Sequence, residues 1–266
     1  MNTRRSQIIL SVLNLVGFLG TIVVNGLATA LPINNKTTGE LSDKYPNLFV
    51  PAGLTFSIWG IIYLLLAMFA VYSLVSAIKG GSRASFVNKI GAVFFLSCIA
   101  NTGWIFAWHY EFVPLSLAIM LLLLGFLLAI YMRLGIGKKG PTKKEQYSVH
   151  LPFSVYLGWI TVATIANVTI LLVNANWNRF GISEQFWAVA VIVVAIAITL
   201  SVLLRRQDIY YGLVVDWALV GIFIKRLGSS VPAESVIAVT VIGLVVVTAG
   251  IITQMARKKV YSAGAG

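Results

Sequence analysis

Apolar residues run along this chain in blocks of about twenty, separated by polar connectors. The blocks occupy 8–31, 54–78, 89–108, 113–133, 151–174, 184–204 and 233–256. A hydrocarbon layer about 30 Å thick takes roughly 20 helical residues to cross, so each block predicts a transmembrane helix. A shorter run, 210–224, is an eighth candidate; it carries Asp216 and either crosses or is re-entrant. The pattern predicts an all-α polytopic membrane protein of about eight helices, with no soluble domain left over.

Three blocks carry a second pattern. Phe56, Trp59 and Tyr63 recur at i, i+3 and i+7, as do Asn101, Trp104 and Trp108. Tyr156, Trp159, Ala163 and Asn167 continue the same spacing as far as Asn174. At 100° per residue each set stays within about 60° of one helix face. An unsatisfied amide in hydrocarbon costs several kcal/mol, so these stripes turn inward, to packed neighbours or to a shared pocket. Indole and phenol rings also fill bundle cores, and packing is the plainer account of the same stripes. Asn14, Asn25, Asn101, Asn167 and Asn174 are likewise candidates for interhelical hydrogen bonds.

Composition fits the blocks: hydrophobic residues make up 59% and charged residues 11% of the 266. The net charge of +12 would suit nucleic acid, but its placement does not. With a cytoplasmic N-terminus, fifteen Lys and Arg fall on cytoplasmic segments, among them Arg4, Arg5, Lys138, Lys139, Lys258 and Lys259. Five fall outside: Lys36, Lys44, Arg179, Lys225 and Arg226. This is positive-inside asymmetry in a multi-pass plasma-membrane protein with both termini cytoplasmic, and no nucleic-acid partner is expected. The bilayer itself is the partner of the basic side. Lys225 and Arg226 are the discordant pair.

Arg4, Arg5, an apolar run and Ala28-Thr29-Ala30 imitate a signal peptide, but the run is too long for one and cleavage is not expected. Cys98 is alone in a predicted span, which removes any disulfide framework or thiolate metal cluster. The longest polar interruption, 32–51, is too long for a hairpin turn, and its apolar end can fold over the mouth of a bundle. Past Asn174 the aromatic stripes stop. Trp177 and Trp187 read as interfacial anchors, and the sixth and eighth spans, 184–204 and 233–256, as lipid-facing scaffold. The organisation is therefore an aromatic-rich five-helix unit, 1–178, followed by a three-helix extension with a short basic tail, 179–266.

Pro51-x₄-Phe56-x₂-Trp59-x₃-Tyr63 resembles the second-helix signature of the TspO/translocator family, the tryptophan-rich sensory proteins. Asn101-x-x-Trp104 resembles its third-helix pair, and Leu151-Pro152-Phe153 with Trp159, Ala163, Thr164 and Asn167 its fifth-helix signature. The motifs cover roughly 8–178. The resemblance implies a five-helix bundle with a pocket under the first loop, lined by Trp59, Trp104 and Trp159. Tyr63 and Asn101 would supply polar contacts, and Ala163 would lie on the sterol-associated face. The implied ligand is a tetrapyrrole such as protoporphyrin or haem, or a sterol-like molecule; no cofactor is required, and a homodimer is implied. The chain departs from the family in having Leu48 and Phe49 where the loop tryptophan usually stands, and no acidic residue in 115–128.

These residues support a ligand-binding sensor, receptor or carrier. Two alternatives stay open: a membrane enzyme that oxidatively degrades porphyrin through Trp59 and Trp159, and a proton-linked solute transporter built on Asp216. An ionisable group inside a span is a functional candidate by default, although Asp216 could equally form an ion pair with Lys225 or Arg226. Lys36 and Lys44 are placed to meet ligand carboxylates. His109 and His150 lack a second nearby histidine, and no metal site is expected.

Overall fold

The protein is described by a computed structural model over residues 3–31, 33–138, 141–231 and 233–263, with side chains through residue 257. Lys139 and the side chains of Lys258 and Lys259, counted above among the basic residues, lie outside the described residues. The described residues form helices joined by short connectors, without a strand.

Helix α1 (Thr3–Ala30) crosses first. A lid segment follows, carrying the short α2 (Thr38–Asp43) and a tight turn, Gly53–Ser57, that leads into α3 (Ile58–Lys79). The pair α4 (Ser85–Ile90) and α5 (Val93–His109) makes one crossing bent by 45°. Then come α6 (Val113–Leu134), the three-residue α7 (Lys143–Glu145) and α8 (Leu151–Asn174). The last three are α9 (Glu184–Arg206), α10 (Ile209–Leu227) and α11 (Glu234–Ala263).

Local chemistry explains these limits. Pro114 and Pro152 sit in the first turns of α6 and α8, where a missing N–H is harmless. The Ser183 hydroxyl accepts from the N–H of Phe186 and caps α9. The bend between α4 and α5 frees backbone groups that lipid could not satisfy. Asn14 on α1 meets them, donating to the carbonyl of Gly91 at 3.3 Å and accepting the N–H of Phe95 at 3.2 Å.

The first five crossings form a closed ring in the order α1, α3, α8, α6, α5 and back to α1. Its basic end is filled by rings: Phe69 lies edge-on to Phe94 at 5.1 Å and to Phe153 at 4.8 Å. In the extension, α10 packs on α8, and α9 and α11 pack on α10 and on each other. Gly158 makes the first contact close, because a Cβ there would meet Val214 Cβ at 3.1 Å and the Tyr211 carbonyl at 3.3 Å.

Among the described residues six helices are long and apolar enough to cross a membrane, and seven when α4 and α5 count as one. Helix α10 is more charged, yet it is anchored at both ends of the bundle. At the basic end the buried carboxylate of Asp208 accepts from the hydroxyls of Tyr131 at 2.9 Å and Ser154 at 2.7 Å, and from the N–H groups of Tyr210 and Tyr211. Burial raises the Asp208 carboxyl above its ordinary pKa, while those four donors, the Ser154 hydroxyl foremost, oppose the rise.

At the other end Lys225 pairs with Asp43 of α2 at 2.6 Å, and the Trp217 indole donates to the Thr55 carbonyl at 2.9 Å. Gly221 lies against Thr55 and Pro51, where any side chain would collide, and its carbonyl accepts from Ala52 N–H at 3.0 Å. Nineteen residues at 1.5 Å each span about 28 Å, so 210–224 is the centre of a helix joining both ends, not a re-entrant hairpin. Lys225 is discordant by charge count because a carboxylate from the lid neutralises it.

Candidate functional site

The lid is built on charge. The Thr37 hydroxyl accepts from Glu40 N–H, and the Glu40 carboxylate accepts from Thr37 N–H at 2.7 Å, a reciprocal cap that starts α2. In the turn between α5 and α6, Glu111 reaches up to the lid. It pairs with Lys36 at 2.7 Å and with Lys44, and accepts from the Tyr45 hydroxyl at 3.2 Å. The hydrogen bonds from Lys36 and Lys44 lower the Glu111 carboxyl to a pKa of about 2. Asn34 donates to the His109 carbonyl at 3.0 Å, and the Trp108 indole to the Thr38 carbonyl at 3.3 Å. Lys36 and Lys44 are thus already paired, which corrects the expectation that they stand ready for ligand carboxylates. Glu111 was the residue missed; its one sequence signal is a lone acid in the short connector opposite two lid lysines.

Beneath the lid the three stripes meet. Phe56 from the turn before α3 and Trp59 from α3, Trp104 and Trp108 from α5, and Trp159, Ala163 and Asn167 from α8 border one cleft. Trp59 lies edge-on to Trp159 at 6.3 Å, Phe56 edge-on to Trp159 at 5.8 Å, and Trp104 stacks on Trp108 at 5.8 Å. The other three candidates lie next to these rings. Tyr63 stacks on Trp59 at 5.4 Å, and Tyr156 meets Trp59 edge-on at 6.1 Å. Asn101 donates to the Tyr156 hydroxyl at 2.9 Å and accepts from Asn25 at 2.9 Å, joining α1, α5 and α8.

The amides are engaged in the bundle. Asn167 accepts from the Ser116 hydroxyl at 3.0 Å, while Asn174 is exposed at the end of α8. Three buried groups at or beside the cleft are not engaged: the indole N–H of Trp104 and of Trp159 and the Tyr63 hydroxyl have no partner among the described residues. Leaving such a group unpaired costs about 1–3 kcal/mol. The free volume is only about 30 Å³, room for a water and far below the roughly 300 Å³ at which small-molecule pockets begin. The site is a closed seam of indoles with donors facing no acceptor.

Asp216 stands apart from this cleft. It accepts from the Thr248 hydroxyl of α11 at 2.8 Å and makes no ion pair among the described residues, since Lys225 is taken by Asp43. The structural ion-pair reading of Asp216 is thereby corrected. Among the described residues no three His, Cys, Asp or Glu side chains cluster to hold a metal.

A family model described as TSPO-like protein matches residues 11–253. The match continues through α9 and α10 into α11, beyond the 8–178 stretch whose motifs carry the resemblance. No curated protein and no solved structure matches the chain.

Proposed function

The chain belongs to the TSPO-like family, and from that premise we propose a membrane receptor that takes a flat, largely apolar ligand into the aromatic cleft. The ligand class is a tetrapyrrole or a molecule of similar shape. The observation that carries this reading is the meeting of indoles from α3, α5 and α8 under a latched lid, with the Trp104 and Trp159 N–H groups unpaired. A macrocycle offers a face to the rings and acceptors on its rim to those donors. At 30 Å³ the cleft is in its closed form, and admission of a ligand requires the lid to lift and Phe56 and Trp59 to part.

A receptor fits better than a carrier. Below the cleft the ring is filled by Phe69, Phe94 and Phe153, all fully buried, so the cleft does not run on through the bundle there. Titration with protoporphyrin, read by the Soret band and by quenching of tryptophan emission, tests the proposal. Saturable binding that weakens about tenfold in Trp159→Phe supports it, a loss of ~1.4 kcal/mol. Affinity unchanged in both Trp159→Phe and Trp104→Phe overturns it. Steady bleaching of the bound pigment would instead favour the oxidative enzyme.

A further inference from the structure

A second cavity of about 590 Å³ lies at the lid end on an adjacent face of α8, between that helix and α9. Both helices pack on α10, and the space left between their ends is closed on one side by the lid segment 46–49. Leu48, Phe49, Leu172, Val173 and Val191 make an apolar wall, and the volume lies in the range of a small-molecule pocket. The mouth is different. Trp177 and Trp187 stand 5.0 Å apart at 60°, where α8 and α9 leave the hydrocarbon, and the Trp187 indole donates to the Arg179 carbonyl at 3.1 Å. Arg179 and Glu184 face each other across the rim at 3.5 Å, both well exposed.

We propose that this cavity is a binding site for a zwitterionic phospholipid of the surrounding leaflet, separate from the aromatic cleft. The charge at the mouth selects the occupant. Arg179 and Glu184 meet each other only at 3.5 Å with both side chains exposed, a loose contact that a headgroup replaces, its phosphate on Arg179 and its ammonium on Glu184. An anionic lipid would meet Glu184 without an ammonium to offset it. The nearby lid lysines give it no help, since Lys36 and Lys44 are paired to Glu111 and Lys225 to Asp43. An acyl chain lies along the wall, and the cavity is partly open at its rim.

The test is native mass spectrometry of the delipidated full chain, titrated with chain-matched phosphatidylethanolamine, phosphatidylcholine and phosphatidylglycerol. One bound zwitterionic lipid is expected, preferred over phosphatidylglycerol by roughly fivefold, the order an exposed charge pair supplies. Arg179→Glu should remove the preference, and Arg179→Glu combined with Glu184→Arg should restore it. Thr169→Trp, placed in the wall, should remove binding of all three while size exclusion shows a monodisperse protein. Equal or tighter binding of phosphatidylglycerol overturns the proposal, as does an unchanged profile in an Arg179→Glu protein that size exclusion shows to be monodisperse. Protoporphyrin binding is read separately, so either site can fail without the other.

Discussion

The two clefts flanking α8 use similar side chains and reach opposite states. On one face Ala163, Ala166, Asn167 and Ile170 look onto indoles and a void of about 30 Å³; on the adjacent face Thr169, Leu172 and Val173 look into about 590 Å³. Tryptophan lines both. The difference is what converges. The aromatic cleft has α3, α5 and α2 closing on it, so rings meet edge to face and fill the space. The lateral cavity has only the start of α9 and the lid segment opposite, and nothing fills it. Aromatic residues do not make a pocket; the number of elements brought against them decides whether a pocket stays open.

Removing the brace that ties α10 to the five-helix ring should have the largest effect. Asp208 holds α10 to α6 and α8, and Asp208→Ala strips four donors of their acceptor. A loss of several kcal/mol is expected, at about 1–3 per buried orphan, and thermal unfolding in detergent would show it. A melting point like wild type would mean that α10 is held by packing alone. The same carboxyl gives a pH signature. Because folding raises its pKa, the folded state binds its proton more tightly than the unfolded chain does. Its share of stability is full below the unfolded value near 3.8 and lost as pH rises through the folded value. Asp208→Asn should remove that slope.

Crossing the two clefts is the sharper experiment. Trp159→Phe should weaken protoporphyrin about tenfold and leave lipid retention alone, and Trp187→Phe should do the reverse. Parallel losses in both assays would merge the clefts into one site. Next in size is the latch. Glu111→Gln leaves Lys36 and Lys44 without a counter-charge, so amide exchange across the lid should quicken and porphyrin should associate several-fold faster. In the wild type the latch weakens as pH falls from about 4.5 towards about 2, because the folded Glu111 pKa is the lower one. Lid exchange that ignores both pH and the substitution would count against it. The smallest effect belongs to Asp216→Asn, which alters one hydrogen bond to Thr248, worth about 0.6 kcal/mol. A large drop in melting temperature would mean a larger structural role, and loss of a proton-driven flux would support the proton-linked reading of Asp216.

Much of the frame was legible along the chain. The blocks at 113–133 and 151–174 match α6 and α8 to within one residue, because Pro114, Gly135 and Pro152 mark helix ends by backbone chemistry. The inward stripes were legible too, since Phe56, Trp59, Trp104, Trp108 and Trp159 share one cleft. The bend at Gly91 was not, because it depends on Asn14, some eighty residues earlier, satisfying the opened backbone. Nor was α10, whose Asp216, Lys225 and Arg226 read as a poor span until Asp43 is brought to Lys225.

Apolar length and helical period thus determined by themselves that this protein is a bundle in a membrane and which faces turn inward. Those are local quantities, set by rise per residue and the cost of bare polar groups in lipid. The tertiary structure alone decided which polar groups met: lid lysines with Glu111, Asn101 with Asn25 and Tyr156, Asp208 with Tyr131 and Ser154. It also decided which clefts stayed open. Both depend on distances between segments far apart in the chain, and volume is what remains only after every neighbour has packed.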